Sequence, residues 1–321
     1  MRCTFIAAKK AEHTVSILYR GLRVTRSGFY AWQRRPESTH TRDDRRLTVL
    51  VRASFEESTQ RYGSPRIHED LFEQAEHVSR KRVVRLMQED GLQARRRKRY
   101  KLTTMSDHDQ PVAANLLDRQ FEADAPNQRW VGATTEFVIG SSGKLYLAAI
   151  LDLFSRCIVG WAVSAVNDRH VTITALEAAL TRRCPEIGLL QHSDQGSTYA
   201  SEDDQDVLEA RGIVCSMSRR GNCHDNAVME SCFSTIKAEL AGRFDSCSEA
   251  KRELFAYIEV FSNQRRRHST IGQISPAAYE RRARAEGRDA MANRTGRGFP
   301  QRPHPSLLSG NEERRATQTA S

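Results

Sequence analysis

Apolar positions recur at helical spacing through the first 125 residues and shift to strand-like runs from Gln128 onward. The spacing predicts two short helices around Gly21, at residues 13–20 and 25–35. The second carries Phe29, Tyr30 and Trp32 and is halted by Pro36. A longer helix is expected over residues 42–59. Ser64 as N-cap and Pro65 in the first turn start another, with Ile67, Leu71 and Ala75 on one face. Ser79 caps a further helix that ends at Gly91, with Val83, Val84, Leu86 and Met87 turned inward. Strands are then expected at 129–138 and 145–153, joined by a turn over 140–143, and at 157–164, 188–192 and 213–217. Helices are expected at 171–182, 201–210, 226–240, 250–261 and 275–285. Three strands in a meander, then helix, strand, helix, strand, helix, is a mixed α/β pattern.

These elements divide the chain into an N-terminal helical region (1–60), a helical pair with a basic run (61–101), a linker (102–126), the α/β region with its C-terminal helices (127–285) and a tail (286–321). The tail is rich in Arg, Gly, Pro and Ser, and disorder is expected there. The helical pair is similar to a helix-turn-helix. Its second helix has a basic leading edge of Arg80, Lys81, Arg82 and Arg85, and such an edge can enter a major groove. A plain helical hairpin with solvated arginines gives the same pattern. The run Arg95, Arg96, Arg97, Lys98, Arg99 has no acidic neighbours to balance it, which suits the tracking of phosphates.

Charge sharpens this picture. The 321 residues carry 50 Lys+Arg and 40 Asp+Glu, a net +10 that favours a polyanionic partner. Residues 1–125 hold 25 basic and 17 acidic side chains, residues 126–240 hold 10 and 14, and residues 241–321 hold 15 and 9. An acidic middle between basic arms suggests a carboxylate cluster held against a polyanion. No apolar run reaches the roughly 18 residues of a membrane span, so no membrane partner is expected. The seven cysteines are scattered and never spaced Cys-x-x-Cys, which argues against a disulfide framework and fits a reducing cytoplasm.

Two carboxylates stand out in the acidic middle. Asp194 follows a strand and precedes a glycine turn; Glu230 lies in the first turns of a helix, and 35 residues lie between them. Carboxylates converging from a strand and a helix can bind hard divalent cations. Paired cations can activate an attacking oxygen and stabilise a leaving one on phosphorus.

With these residues in place, the segment from Trp130 to Leu240 resembles the catalytic core of the retroviral integrase superfamily, and more narrowly the OrfB-type transposases of bacterial insertion sequences. The matching stretches are 127–137, 146–161, 192–199 and 217–237, with 261–269 and Ser275-Pro276 similar to the family's C-terminal motif and 62–91 similar to its helix-turn-helix. The resemblance spans residues 13–285. It implies an α/β, ribonuclease-H-like integrase core with a mixed five-stranded sheet, preceded by an all-α helix-turn-helix region. It implies metal-dependent cleavage and strand transfer at element ends, with Mg2+ or Mn2+ as a pair of ions. DNA is the implied partner, both terminal repeats and target, in a homo-multimer that also works with an upstream OrfA partner. The chain opens on its own methionine, so the OrfA part is expected to be absent from it. The implied location is the bacterial cytoplasm, in association with the nucleoid.

The family uses Asp, Asp and then Glu. Asp194 matches the second and Glu230 the third, and the first falls by register on Ala133, which is not an acid. Glu136 is three positions on and points to the other strand face. Asp152 matches a position that the family keeps even when the first acid is present. Loss of catalysis is therefore expected, and a non-catalytic protein that occupies element ends or inhibits transposition is the alternative reading. A ribonuclease-H-like nuclease unrelated to transposition would leave the helix-turn-helix and the C-terminal motif unexplained. Asn226, Glu230 and Lys237 share a helix face that the resemblance turns toward the DNA end. Arg219 and Arg220 lie in a loop expected to cover the substrate strand. Arg265, Arg266 and Arg267 suit either phosphate binding or an exposed polar turn. His192 is expected to be buried and hydrogen-bonded rather than a metal ligand.

Overall fold

The computed structural model describes residues 2–95, 113–194, 207–240 and 243–295, with the side chains of Cys223 and 287–295 outside the description. Arg96, Arg97, Lys98, Arg99, most of the helix expected at 201–210 and the chain beyond 295 lie outside the described residues.

Six helices come first: α1 (Arg2–Lys9), α2 (Val15–Leu22), α3 (Arg26–Arg34), α4 (Thr39–Glu57), α5 (Ser64–Glu73) and α6 (Arg80–Glu89). The first of these was not legible in the spacing, because it buries only Ile6. Ser64 is the first helical residue rather than the cap; the cap is Gly63, and Pro65 sits in the first turn, where its missing N–H costs nothing. Ser79 caps α6 by accepting from the Arg82 amide at 3.3 Å. Leu47, Val51 and Phe55 of α4, Ile67 and Leu71 of α5, and Val83, Leu86 and Met87 of α6 make one apolar core.

The α/β region is a sheet of β1 (Arg129–Ile139), β2 (Gly143–Asp152), β3 (Ile158–Ser164), β4 (Leu190–Ser193) and β5 (Val214–Met217) in the order β3-β2-β1-β4-β5. The first three strands are antiparallel, and β4 and β5 run parallel to β1. A sixth strand, β6 (Arg243–Phe244), pairs with the far end of β1, so the expected five strands are six. Two residues are too few to show a period, and the pairing is purely tertiary. Helix α7 (Arg169–Arg183) covers one face, where Trp130, Ile150 and Val159 meet Leu176, Ala179 and Leu180. It lies so close to β3 that a Cβ on Gly160 would come within 2.3 Å of the Ala175 carbonyl oxygen. Helix α8 (Ala227–Glu239) covers the other face with Met229, Phe233 and Ile236.

Three expectations change. The segment from residue 113 is not a free linker: Leu117 is buried, and the amides of Leu116 and Leu117 donate to Ser216 Oγ on β5. The helical pair is not a separate body, since its core is continuous with that of the sheet through Tyr62, which packs on Phe261 at 6.0 Å between ring centroids. Helix α10 (Pro276–Thr295) continues past residue 286, where disorder was expected; its Arg-, Glu- and Ala-rich sequence has good helix propensity even with few apolar residues.

The C-terminal motif is built on α9 (Cys247–Phe255), which runs into a π-helical stretch over Ala256–Ser262. This widened turn carries Tyr257 and Phe261 to the junction with α4 and α5. The three arginines that follow do not face solvent together. Arg266 is buried and donates to both oxygens of Glu239, at 2.8 Å from Nη2 and 3.0 Å from Nε. Arg267 donates to Asp70 at 2.5 Å and to Glu73 at 2.5 Å, and Arg265 to Glu57 at 2.6 Å. The expected phosphate contacts are thus taken up by carboxylates of α4, α5 and α8.

Glu239 also accepts from Tyr257 Oη at 2.8 Å, so one buried carboxylate ties α8, the π-helical stretch and Arg266. Removing it leaves Arg266 charged and unpaired in the interior. Glu239→Ala is expected to lower stability by about 3 kcal/mol or more, read as a shift in the urea midpoint with circular dichroism. An unchanged midpoint would show that the pair holds nothing together.

Candidate active site

The site lies where β1 and β4 run side by side. Gly132 pairs with Ser193, the last residue of β4, and one step further along the same register sets Ala133 beside Asp194. Ala133 also pairs with Ala149 on β2. Its methyl group is buried in the apolar core that also holds Val131, Met229 and Phe233, on the α8 face of the sheet. Strand alternation puts Asp194 on that same face, together with His192.

Glu230 enters from the first turn of α8. Partial burial raises its pKa above the usual carboxylate range, Asp194 adds to the rise, and His224 opposes it. Glu136 lies on the opposite face, exposed and paired with Lys144 at 3.0 Å. Asp152 pairs across the sheet with Trp130, which puts it on the α7 face, and it is fully buried. Its oxygens accept from the amides of Asn127 at 2.9 Å and Phe154 at 2.8 Å. Neither acid is available to the cleft.

The donor set tests the metal implied by the resemblance. Asp194 and Glu230 are oxygen ligands of the hard type that suits Mg2+ or Mn2+. A methyl group at 133 supplies no donor, and among the described residues no group of three or more His, Cys, Asp or Glu side chains converges as a metal site. One cation can find two carboxylates here; a shared pair of ions does not fit this donor set.

Several expected contacts have other occupations. Asn226 is buried as the N-cap of α8, and its Nδ2 donates to the Gly132 carbonyl at 3.0 Å. It braces the Glu230 helix against β1 and does not share an open face with Glu230. Lys237 is half-buried over the Phe137 ring at 5.8 Å, two turns along α8, where burial lowers its pKa. Arg219 is no free lid: it donates to buried Asp225 at 2.9 Å and to Asp118 at 2.9 Å. Arg220 is exposed in the same turn.

Asp225 was missed by sequence reasoning. It accepts from Arg219, from Arg119 Nε at 2.9 Å and from Asn115 Nδ2 at 3.0 Å. These bonds, that from Arg219 first, hold its carboxyl far below the usual range. The signal was a turn-type Asp-Asn pair directly before a helix with Arg219 six residues ahead of it, but Arg119 and Asn115 lie about a hundred residues earlier, in what reads as a linker.

Among the helix-turn-helix cations, Arg82 donates to Asp44 at 2.7 Å and pairs with Asp43 at 2.9 Å; Arg85 pairs with Asp44 at 2.7 Å and Glu89 at 3.0 Å. The basic leading edge is thus half consumed by α4 and by α6 itself, because those acids sit on the helix face that packs beside it. Arg80 and Lys81 are exposed, and Arg95 donates to the Glu239 carbonyl at 3.0 Å.

Together, this mixed sheet, the helices on its two faces and the carboxylates at the β4 end and on α8 define a ribonuclease-H-like integrase core, carried behind an all-helical HTH-like unit. The integrase core domain family matches residues 123–223, a second integrase core family residues 211–276, and an HTH-like domain residues 41–100. The chain is 36% identical over 284 residues to the transposase InsF of insertion sequence IS3A from Escherichia coli (strain K12), covering 87% of this chain and 98% of that protein. It is 40% identical over 258 residues to a 31 kDa protein of insertion element IS600 from Shigella sonnei, covering 80% and 94%. Among solved structures it is similar to the HTLV-2 integrase catalytic core domain in complex with magnesium, with 19% identity, a TM-score of 0.35, and 47% and 95% of the two chains covered. The chain belongs to the InsF-type transposases of the IS3 family of insertion sequences. No helix among the described residues is long and apolar enough to cross a membrane.

His192, beside Asp194, is fully buried between Ser216 Oγ at 2.9 Å and Ser218 Oγ at 3.1 Å, and burial pushes its pKa down to about 4. The folded state thus prefers the neutral ring. Stability is retained above the unfolded pKa of about 6.5 and is lost as pH falls from there toward 4, by up to about 3 kcal/mol. A His192→Asn variant is expected to lose less stability than the parent between pH 7 and pH 4.5 in urea titrations. Equal losses would mean that this ring does not titrate with unfolding.

Proposed function

We propose that this chain engages the ends of an insertion sequence as a transposase whose strand cleavage and strand transfer are lost at Ala133. The observation that carries the reading is the register of β1 where β4 ends: a buried methyl group stands beside Asp194 on the sheet face that α8 covers. Asp194 and Glu230 are the two acids of the reacting centre in this reading, and they hold Mg2+ or Mn2+ less well than three acids would. Neighbouring acids do not substitute, because Glu136 and Asp152 occupy the other face with partners of their own.

A protein of this kind occupies terminal repeats without cutting them. In homo-multimers mixed with intact copies, it would damp their transposition. The functional setting is the bacterial cytoplasm, with target DNA and an OrfA product as further partners.

The test is nicking of labelled element-end DNA with Mg2+ or Mn2+ by the parent and by Ala133→Asp. The parent is expected to bind without cutting and the aspartate variant to nick. The gain should exceed the roughly 10–100-fold that loss of an outer-shell metal partner costs. Equal nicking by both proteins would overturn the reading, because another carboxylate would then complete the site.

A further inference from the structure

The helices ahead of the HTH-like domain differ from it in one electrostatic respect. Residues 36–95, which hold its helices, carry eleven Lys+Arg and eleven Asp+Glu, a net charge of zero, before the run Arg96, Arg97, Lys98 and Arg99 adds four cations at its end. Residues 1–35 carry eight Lys+Arg and one acid, Glu12. In the former, Arg46, Arg52, Arg82 and Arg85 are each held by carboxylates of the same unit. In the latter, Glu12 is taken by Lys9 at 2.8 Å. Arg20, Arg23, Arg26, Arg34 and Arg35 are exposed, and among the described residues no carboxylate lies within ion-pair distance of them.

The geometry of this basic unit is specific. Helices α2 and α3, of eight and nine residues, are joined by residues 23–25 and supported by α1. Arg23 closes α2 in the left-handed region (φ 51°), a position that glycine fills with least strain, and this keeps a cation at the turn. Thr25 caps α3 by accepting from the Gly28 amide at 3.0 Å. Ile6 and Phe29 are buried, and Tyr19 packs on Phe29 at 5.6 Å between ring centroids, which ties α2 to α3. On α3, Arg26, Tyr30 and Arg34 recur every four residues on an exposed face, and the Arg26 guanidinium lies 5.9 Å from the Tyr30 ring centroid. Two short helices with a three-residue turn and an unneutralised basic face on the second can present that face to a DNA groove.

We infer that α1–α3 form a second duplex-DNA-binding unit, separate from the HTH-like residues 41–100, with Arg23, Arg26 and Arg34 on phosphates and the first turn of α3 toward the major groove. The inference rests on the reading that the chain engages element ends. The helices of the HTH-like unit, whose arginines are partly held by its own carboxylates, then lie between this reader and the core.

The test is fluorescence anisotropy of the full chain with an element-end duplex and a scrambled duplex, each over a range of salt. Replacing Arg23, Arg26 and Arg34 together by Ala is expected to weaken binding to both duplexes about ten-fold or more, and to flatten the salt slope by about 0.9 for each lost phosphate contact. The triple Lys replacement is expected to retain most of the slope, and circular dichroism to show unchanged helix content. Arg85→Ala, which removes an internally neutralised cation, is expected to leave affinity nearly unchanged. If the parent binds and the triple Ala variant matches it in affinity and slope, the inference falls alone. An equal loss with Arg85→Ala overturns it too. A parent that binds neither duplex takes down the end-binding reading and this inference together.

Discussion

The structure depends on a carboxylate buried at the wrong end of a helix. Glu239 closes α8, where the helix dipole is negative and an anion is disfavoured. It is tolerated because Arg266, Tyr257 and, at 3.5 Å, Arg66 surround it. Those partners come from the C-terminal motif and from α5, so the cost of burying one charge is met only when three parts of the chain have assembled. The same helix carries Glu230 at its other end. Assembly of the helical unit and positioning of the acid are therefore one event.

At that other end, the scaffold around Asp194 and Glu230 is held by contacts that do not involve position 133. Asn226 ties α8 to β1 at Gly132, and Asp225 ties the preceding turn to residues 115–119. Nothing in this scaffold depends on the side chain at 133, which contributes only packing. A methyl group fits the site as well as the fold requires, and this is why the fold is intact around a position that cannot hold a cation.

The same separation of roles holds for the cations. Arg82 and Arg85 of the HTH-like unit and Arg266 and Arg267 of the C-terminal motif are spent on carboxylates, which stabilises the junctions. Unneutralised charge is left at the N-terminal helices, where the acids are missing. A basic sequence and a basic surface are thus different things: the first is a count, and the second depends on where the acids fold.

The sequence by itself determined the α/β core and the helical start, because these rest on local period and turn residues; that Asp194 and Glu230 stand out and that Ala133 holds the place of an acid came from the family resemblance. Strand alternation, a local rule, also put Glu136 on the other face from Ala133. Only the tertiary structure decided which arginines are free, because Arg82, Arg266 and Arg267 find their carboxylates across 38, 27 and nearly 200 residues. It likewise turned an apparent linker into the cradle of Asp225, added β6 to the sheet and moved Asn226 from an open face into the interior. Partners so distant in sequence leave no periodic trace, and burial of a charge can be judged only when its counter-charge is in place.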